Sequence, residues 1–256
     1  MNRTPMHILS LQDLLAAGWF LFAWFGFNLL IDLSPLRKHT LSAAMESYRR
    51  AWMETMTTRQ VRIMDTAIMT GLQQGTAFFA STALLAIGGC FTLLDATDTI
   101  LKVAGDLSIP IDQSRALWEI KVLGLMLILA YAFFKFGWAY RLFNYSSIIM
   151  GSVPEASHAG SEDILRIARQ AAELNVLAGG HFNRGQRAFF FAIAFLGWFA
   201  GPIFFGVTTL AVLIVLLRRQ FASRSRSTVL SGHHLSEPVT DKDGEYTETG
   251  SSNPFT

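Results

Sequence analysis

Four apolar runs, each close to twenty residues long or longer, set the main limit on what this chain can fold into. A helix needs about 20 apolar residues to cross the hydrocarbon core of a bilayer. Helices and closed barrels are the structures that satisfy every backbone polar group there. The first run is LLAAGWFLFAWFGFNLLI, Leu14 to Ile31, bracketed by Asp13 and Asp32 and extending to a span of about 11–33. The second, 72–94, lies inside the uncharged stretch from Thr66 to Leu94. The third, 117–140, is interrupted by Lys121 and Lys135, and the fourth, 188–217, is uncharged and closed by Arg218 and Arg219. Composition agrees, with 16% charged residues against about a quarter in soluble domains. The expected fold is all-α: a polytopic membrane protein with four transmembrane helices plus two cytoplasmic amphipathic helices. These fill an integral membrane domain over 1–222. Residues 223–256, rich in Ser, Thr, Gly and charge, read as a disordered polar tail.

The first run is read as a retained span. Its only preceding basic residue is Arg3, no small-x-small cleavage site follows Leu30, and it is long and aromatic for a signal sequence. The fourth run would stretch about 45 Å as one helix. Pro202 at its middle removes a donor, so the run reads as one tilted, kinked span, with a broken helix or re-entrant pair as the alternative. Four spans put both termini on one side. Loops 34–71 and 141–187 then carry eleven basic residues against eight on the other face, which places these loops in the cytoplasm. The basic RRQFASRSR segment after the fourth run runs against that orientation.

Both loops have helical periodicity. In the first, Leu41, Met45, Tyr48, Trp52 and Met56 form a stripe, and a basic helix of this kind can lie on a membrane or dock on its own protein. In the second, Ser161 is the expected N-cap, Ile164, Ile167, Ala171 and Leu174 form one face, and Gly179–Gly180 ends the helix.

Lys135 stands between Phe134 and Phe136, about 10 Å from the bilayer midplane. It can snorkel to the headgroups, pair with Asp32 across helices, or line a polar pocket with Asn28, Asp32, Arg184 and Arg187. Gly71 and Gly75, like Ala77 and Ser81, stand four apart and suit close helix approach. Cys90 is the only cysteine, so no disulfide framework or thiolate metal site is expected. AGGHFNRG lacks the lysine of a phosphate-binding loop. His181 has no second ligand at metal spacing, and no catalytic motif is present. No cofactor, metal or nucleic-acid partner is expected.

YRRAWM (Tyr48–Met53), FFKFGWAYRLFNY (Phe133–Tyr145), GSVPE and HFNRGQRAFFF (His181–Phe191) together resemble the integral-membrane family called domain of unknown function 599, over roughly residues 10–220. The resemblance implies a multi-pass membrane protein and assigns no role to its recurring letters. Among these, Arg141, Asn144 and His181 join Asn28, Asp32, Lys135, Arg184 and Arg187 as candidate binding residues. Arg37, Lys38, Arg49 and Arg50 are the candidate lipid-facing basic residues. The favoured function is a membrane binding or assembly protein whose basic cytoplasmic face meets anionic lipid, a membrane-protein partner or a second copy. The alternative is a small transporter or channel with a path through the Asn28, Asp32 and Lys135 cluster and the break at Gly201–Pro202; an enzyme ranks third.

Overall fold

Ser10 accepts a hydrogen bond from the Asp13 amide while the Asp13 carboxylate accepts from the Ser10 amide. This reciprocal cap starts α1, Leu11–Leu33. The computed structural model describes residues 9–106, 114–154, 161–221 and 228–229, and every regular element among them is helical. After α1 come α2 (Leu41–Met56), α3 (Ile63–Asp95), α4 (Thr97–Asp106), α5 (Arg115–Gly151), α6 (Glu162–Leu196) and α7 (Pro202–Phe221), with short 3-10 turns at Pro35–His39 and Gly197–Ala200. Helices α1, α3, α5 and α7 are long and apolar enough to cross a membrane, so the chain is built as a multi-pass membrane protein. The expected tail, apart from residues 228–229, lies outside the described residues from 222 onward.

The fourth apolar run is divided. Helix α6 continues through Gly179–Gly180, where an end was expected, and takes in residues 188–196. The chain then reverses at Gly201, whose φ of 124° suits glycine, and Pro202 opens α7 at a position where a missing N–H costs nothing. Helix α7 returns alongside α6. The Thr208 hydroxyl donates to the Ala194 carbonyl at 2.7 Å, the Arg219 guanidinium lies 5.6 Å from the Phe190 ring centre, and the Gln220 side chain donates to Ser42 at 2.9 Å. A helical hairpin therefore stands where one kinked span was expected.

Two cores stack along the bundle. The membrane core joins Phe20, Phe27, Val122, Phe136, Phe191, Phe195 and Phe205, with rings in edge and stacked contact, such as Phe20 against Phe195 at 5.4 Å and Trp198 against Phe205 at 5.0 Å. Beyond it, a methionine-rich core joins Met53, Met56, Met69, Phe143, Met150 and Ala171. Helix α2 is docked into this second core by Met53 and Met56, both fully buried. Of the stripe read from the sequence, Met45 and Tyr48 are exposed. The helix is rotated because Trp52 donates to the buried Asp65 carboxylate at 2.7 Å, and Asp65 also accepts from Arg59. Ser161 caps α6 as expected.

The close helix approaches differ from those expected. A Cβ on Gly185 would lie 2.7 Å from the Phe136 ring, and one on Gly124 would lie 2.6 Å from Phe195, whereas Gly71 and Gly75 have nothing within 4 Å. Gly71→Ala and Gly75→Ala should therefore leave thermal stability in detergent within about 0.5 kcal/mol of the parent or raise it slightly, because alanine favours helix. A loss of several degrees from either change would show that these glycines are in helix contact.

Candidate functional site

Arg184 and Arg187 stand one turn apart on α6 and so share a face. That face meets the last turn of α1. Arg184 Nε donates to Asp32 at 2.8 Å, and Arg187 Nη2 donates to both Asp32 oxygens at 3.0 and 3.3 Å. The expected Lys135–Asp32 pair is not formed. Asp32 is saturated by two guanidiniums, and Lys135 instead places Nζ 5.1 Å from the Tyr131 ring centre, within electrostatic range of both Arg184 and Asp32. Three cations thus gather around one carboxylate at the same end of the bundle. Lys135 sits between a 72% exposed Phe134 and a fully buried Phe136, so its neighbours face lipid on one side and the core on the other.

Arg49 points inward from α2, towards α6. It donates to Asn175, a fully buried side chain, lies 5.8 Å from the Phe143 ring centre, and rests over Gly179, where an added Cβ would come within 3.3 Å of the guanidinium. Gly179 therefore makes room for an arginine, and the Gly179–Gly180 pair does not end the helix. Burial holds the Arg49 guanidinium below its ordinary pKa, opposed by the nearby Glu46 charge. Between α1, α2, α6 and α7 lie two adjoining cavities of about 220 Å³ each. Ser42, Gly180, Asn183 and Arg187 border both, and Arg49, Gln186 and Gln220 border the first. Phe27, Ile31, Phe190 and Leu216 add an apolar wall.

The other candidates are placed apart from this cluster or beside it. Asn28 donates to the Trp24 carbonyl of its own helix at 2.8 Å. Asn144 accepts from Gln73 at 2.8 Å, joining α5 to α3. Arg141 donates to the Tyr145 hydroxyl at 2.6 Å, and His181 lies against Trp138, with ring centres 6.4 Å apart. Of the four lipid-facing candidates, Arg37 pairs with Glu46 at 2.9 Å and Arg50 with Glu173 at 2.6 Å; Arg50 holds the Glu173 carboxyl below its usual value. Lys38 alone is both exposed and outside any ion pair among the described residues. Ser42, Asn175 and Gln220 were not picked out in the sequence, and Gly179 was read there only as a helix end. The signal available was Asn175, a polar residue inside an apolar helix face. Among the described residues no group of three His, Cys, Asp or Glu side chains could hold a metal.

Charge divides along the bundle axis. At this end stand Arg37, Lys38, Arg49, Arg50, Arg59, Arg62, Arg141, Arg166, Arg169, Arg184, Arg187, Arg218 and Arg219, against Asp32, Glu46, Glu54, Asp65, Glu162, Asp163 and Glu173. At the other end Lys102, Arg115 and Lys121 meet Asp13, Asp95, Asp98, Asp106 and Glu119. There Trp198 donates to Asp13 at 2.7 Å and Lys121 lies 5.7 Å from the Trp198 ring centre. The Gly201–Pro202 break is thus at the opposite end from Asp32, and the path drawn through both has no support in the geometry. The sequence model of one family, described as "Protein of unknown function, DUF599", matches residues 15–225. No curated protein and no solved structure matches the chain.

Proposed function

The chain belongs to the DUF599 family. We propose that it is a binding or assembly protein of the bacterial inner membrane whose basic end faces the cytoplasm and engages anionic lipid there. The observation that carries this reading is the one-sided distribution of basic residues, because positive residues remain on the cytoplasmic side. The return of α7 strengthens it: Arg218 and Arg219, which opposed the orientation when the fourth run was read as one span, now join the basic end. The Tyr48 hydroxyl donates to the Val229 carbonyl at 3.2 Å, which brings the chain beyond α7 to the same face. In this topology the C-terminal half of α6 makes a fifth crossing beside the four apolar helices. From Asp13 to Asp32 α1 rises about 29 Å, close to the hydrocarbon thickness of about 30 Å.

Lipid contact falls to the basic side chains that no carboxylate among the described residues neutralises, chiefly Lys38, Arg62, Arg218 and Arg219. Each contributes about 1 kcal/mol beside an anionic leaflet. Single cysteines at Gln60, Thr99, Ser161 and Thr228 in a Cys90→Ala background test the topology. An impermeant maleimide applied to intact cells should label Thr99 alone; labelling of Thr228 together with Thr99 would restore an even number of crossings, and the inverse pattern would reverse the orientation. Tryptophan quenching by brominated lipids tests the contact. Brominated phosphatidylglycerol should quench more than brominated phosphatidylcholine, with the difference shrinking as salt rises; equal quenching by both would reject the lipid reading.

A further inference from the structure

Arg187 carries an unmet demand. Its side chain is 10% exposed, Nη2 is committed to Asp32, the guanidinium lies 6.0 Å from the Phe27 ring centre, and Nε and Nη1 are buried without a hydrogen-bond acceptor among the described residues. Buried donors are nearly always hydrogen-bonded, and one that is not calls for a bound water, ion or ligand. The same side chain borders both cavities. Arg49, which borders the first cavity, has a neutral partner, Asn175, and Glu46, the carboxylate that borders both cavities, is engaged by Arg37. Asp32 faces Arg184 and Arg187 with Lys135 close by, so positive charge exceeds negative around the cavities. Buried charge of one sign requires a counter-charge.

We infer that these adjoining cavities form a binding site for one phosphate-type oxyanion, with Arg187 and Arg49 as its charged anchors and Ser42, Asn183 and Gln220 as neutral hydrogen-bonding partners. Guanidinium groups suit this role because their planar donor sets match tetrahedral oxyanions two bonds at a time. Each cavity, at about 220 Å³, has room for a phosphate-type headgroup. The apolar wall of Phe27, Ile31, Phe190 and Leu216 suits an alkyl chain attached to that head. This inference rests on the anionic-lipid reading only for the source of the ligand; the site would serve equally for the phosphate of a bilayer lipid or for a free phosphate.

The test uses full-length protein in maltoside detergent, with unfolding temperature followed during titration with inorganic phosphate, short-chain phosphatidylglycerol or short-chain phosphatidylcholine. Phosphatidylglycerol should stabilise the parent more than phosphatidylcholine does. Gly180→Leu is the decisive variant, since a Cβ there meets nothing within 4 Å, the residue borders both cavities, and the Asp32 pairs stay intact. It should fold and bind about tenfold more weakly or worse, the scale expected when a buried charge-assisted contact is blocked. Arg187→Gln should also lose binding, although it disturbs Asp32 as well. Stabilisation by inorganic phosphate as well as phosphatidylglycerol, both lost in Gly180→Leu, would identify the oxyanion itself as the ligand; response to phosphatidylglycerol alone would identify the lipid headgroup. No response in the parent, or an equal response in Gly180→Leu, overturns the site. A Gly180→Leu protein that retains the brominated-lipid preference would leave the surface reading standing while the cavity falls. A parent that binds phosphate without lipid preference would do the reverse.

Discussion

Asp32→Asn is expected to lower the stability of the detergent-purified protein by about 2–4 kcal/mol, somewhat under the value for a fully buried pair because the site is partly open. The Asp32 side chain is 23% exposed and is the acceptor for both Arg184 and Arg187. Its neutralisation leaves these two cations without their carboxylate at the end of the membrane core. The coupling should also have a definite partner. Arg187→Met alone removes one donor and leaves Asp32 bound by Arg184, so the double change Asp32→Asn with Arg187→Met should cost about 1–2 kcal/mol less than the sum of the singles. Lys135→Met should be nearly neutral and additive with Asp32→Asn, because Lys135 lies over Tyr131 and makes no ion pair among the described residues. Thermal unfolding of these five variants and the parent checks the set. Strong coupling of Lys135 to Asp32, with none between Arg187 and Asp32, would contradict the geometry.

The second large effect is steric. Gly185→Val is expected to destabilise by about 3 kcal/mol, at the upper end for overpacking. The clashing atoms belong to the Phe136 ring, at 2.7, 2.8 and 2.9 Å from the position of an added Cβ. That ring cannot swing away, since it is fully buried and its centre lies 5.5–5.6 Å from those of Phe79, Phe182 and Phe189. In a bilayer the penalty is not lost water exclusion, because lipid is as apolar as the core; it is lost helix contact between α5 and α6. Gly185→Val combined with Phe136→Leu should therefore recover much of the loss by returning volume to the interface. If Gly185→Val unfolded at the parent temperature, the α5–α6 contact would not have the closeness described. Gly185→Val and Gly75→Ala should differ by about 3 kcal/mol, because only Gly185 faces a ring.

The same contrast separates what is written locally in this chain from what is not. Apolar run length and bracketing charge are properties of short segments, and they were enough to establish a helical multi-pass protein, the start of α6 at Ser161 and the placement of Asp32, Lys135, Arg184 and Arg187 near one depth. Depth is counted along a helix axis at a constant rise, so it can be read from residue number. Direction around the axis, and the partner it faces, depend on how helices distant in sequence pack. That rotation gave Asp32 to Arg184 and Arg187 instead of Lys135, turned Met53 and Met56 of α2 into the second core, and set Arg49 over Gly179. The Gly201–Pro202 step shows the same division. A proline after an apolar run can kink one helix or begin the next, with the same residues in either case. The choice was made by Thr208 reaching the Ala194 carbonyl and by Phe205 closing against Phe20, Phe195 and Trp198. These contacts form only when α7 folds back on α6 and α1, and with them the arginines at its end move to the basic face and α7 supplies one wall of the first cavity beside Arg187.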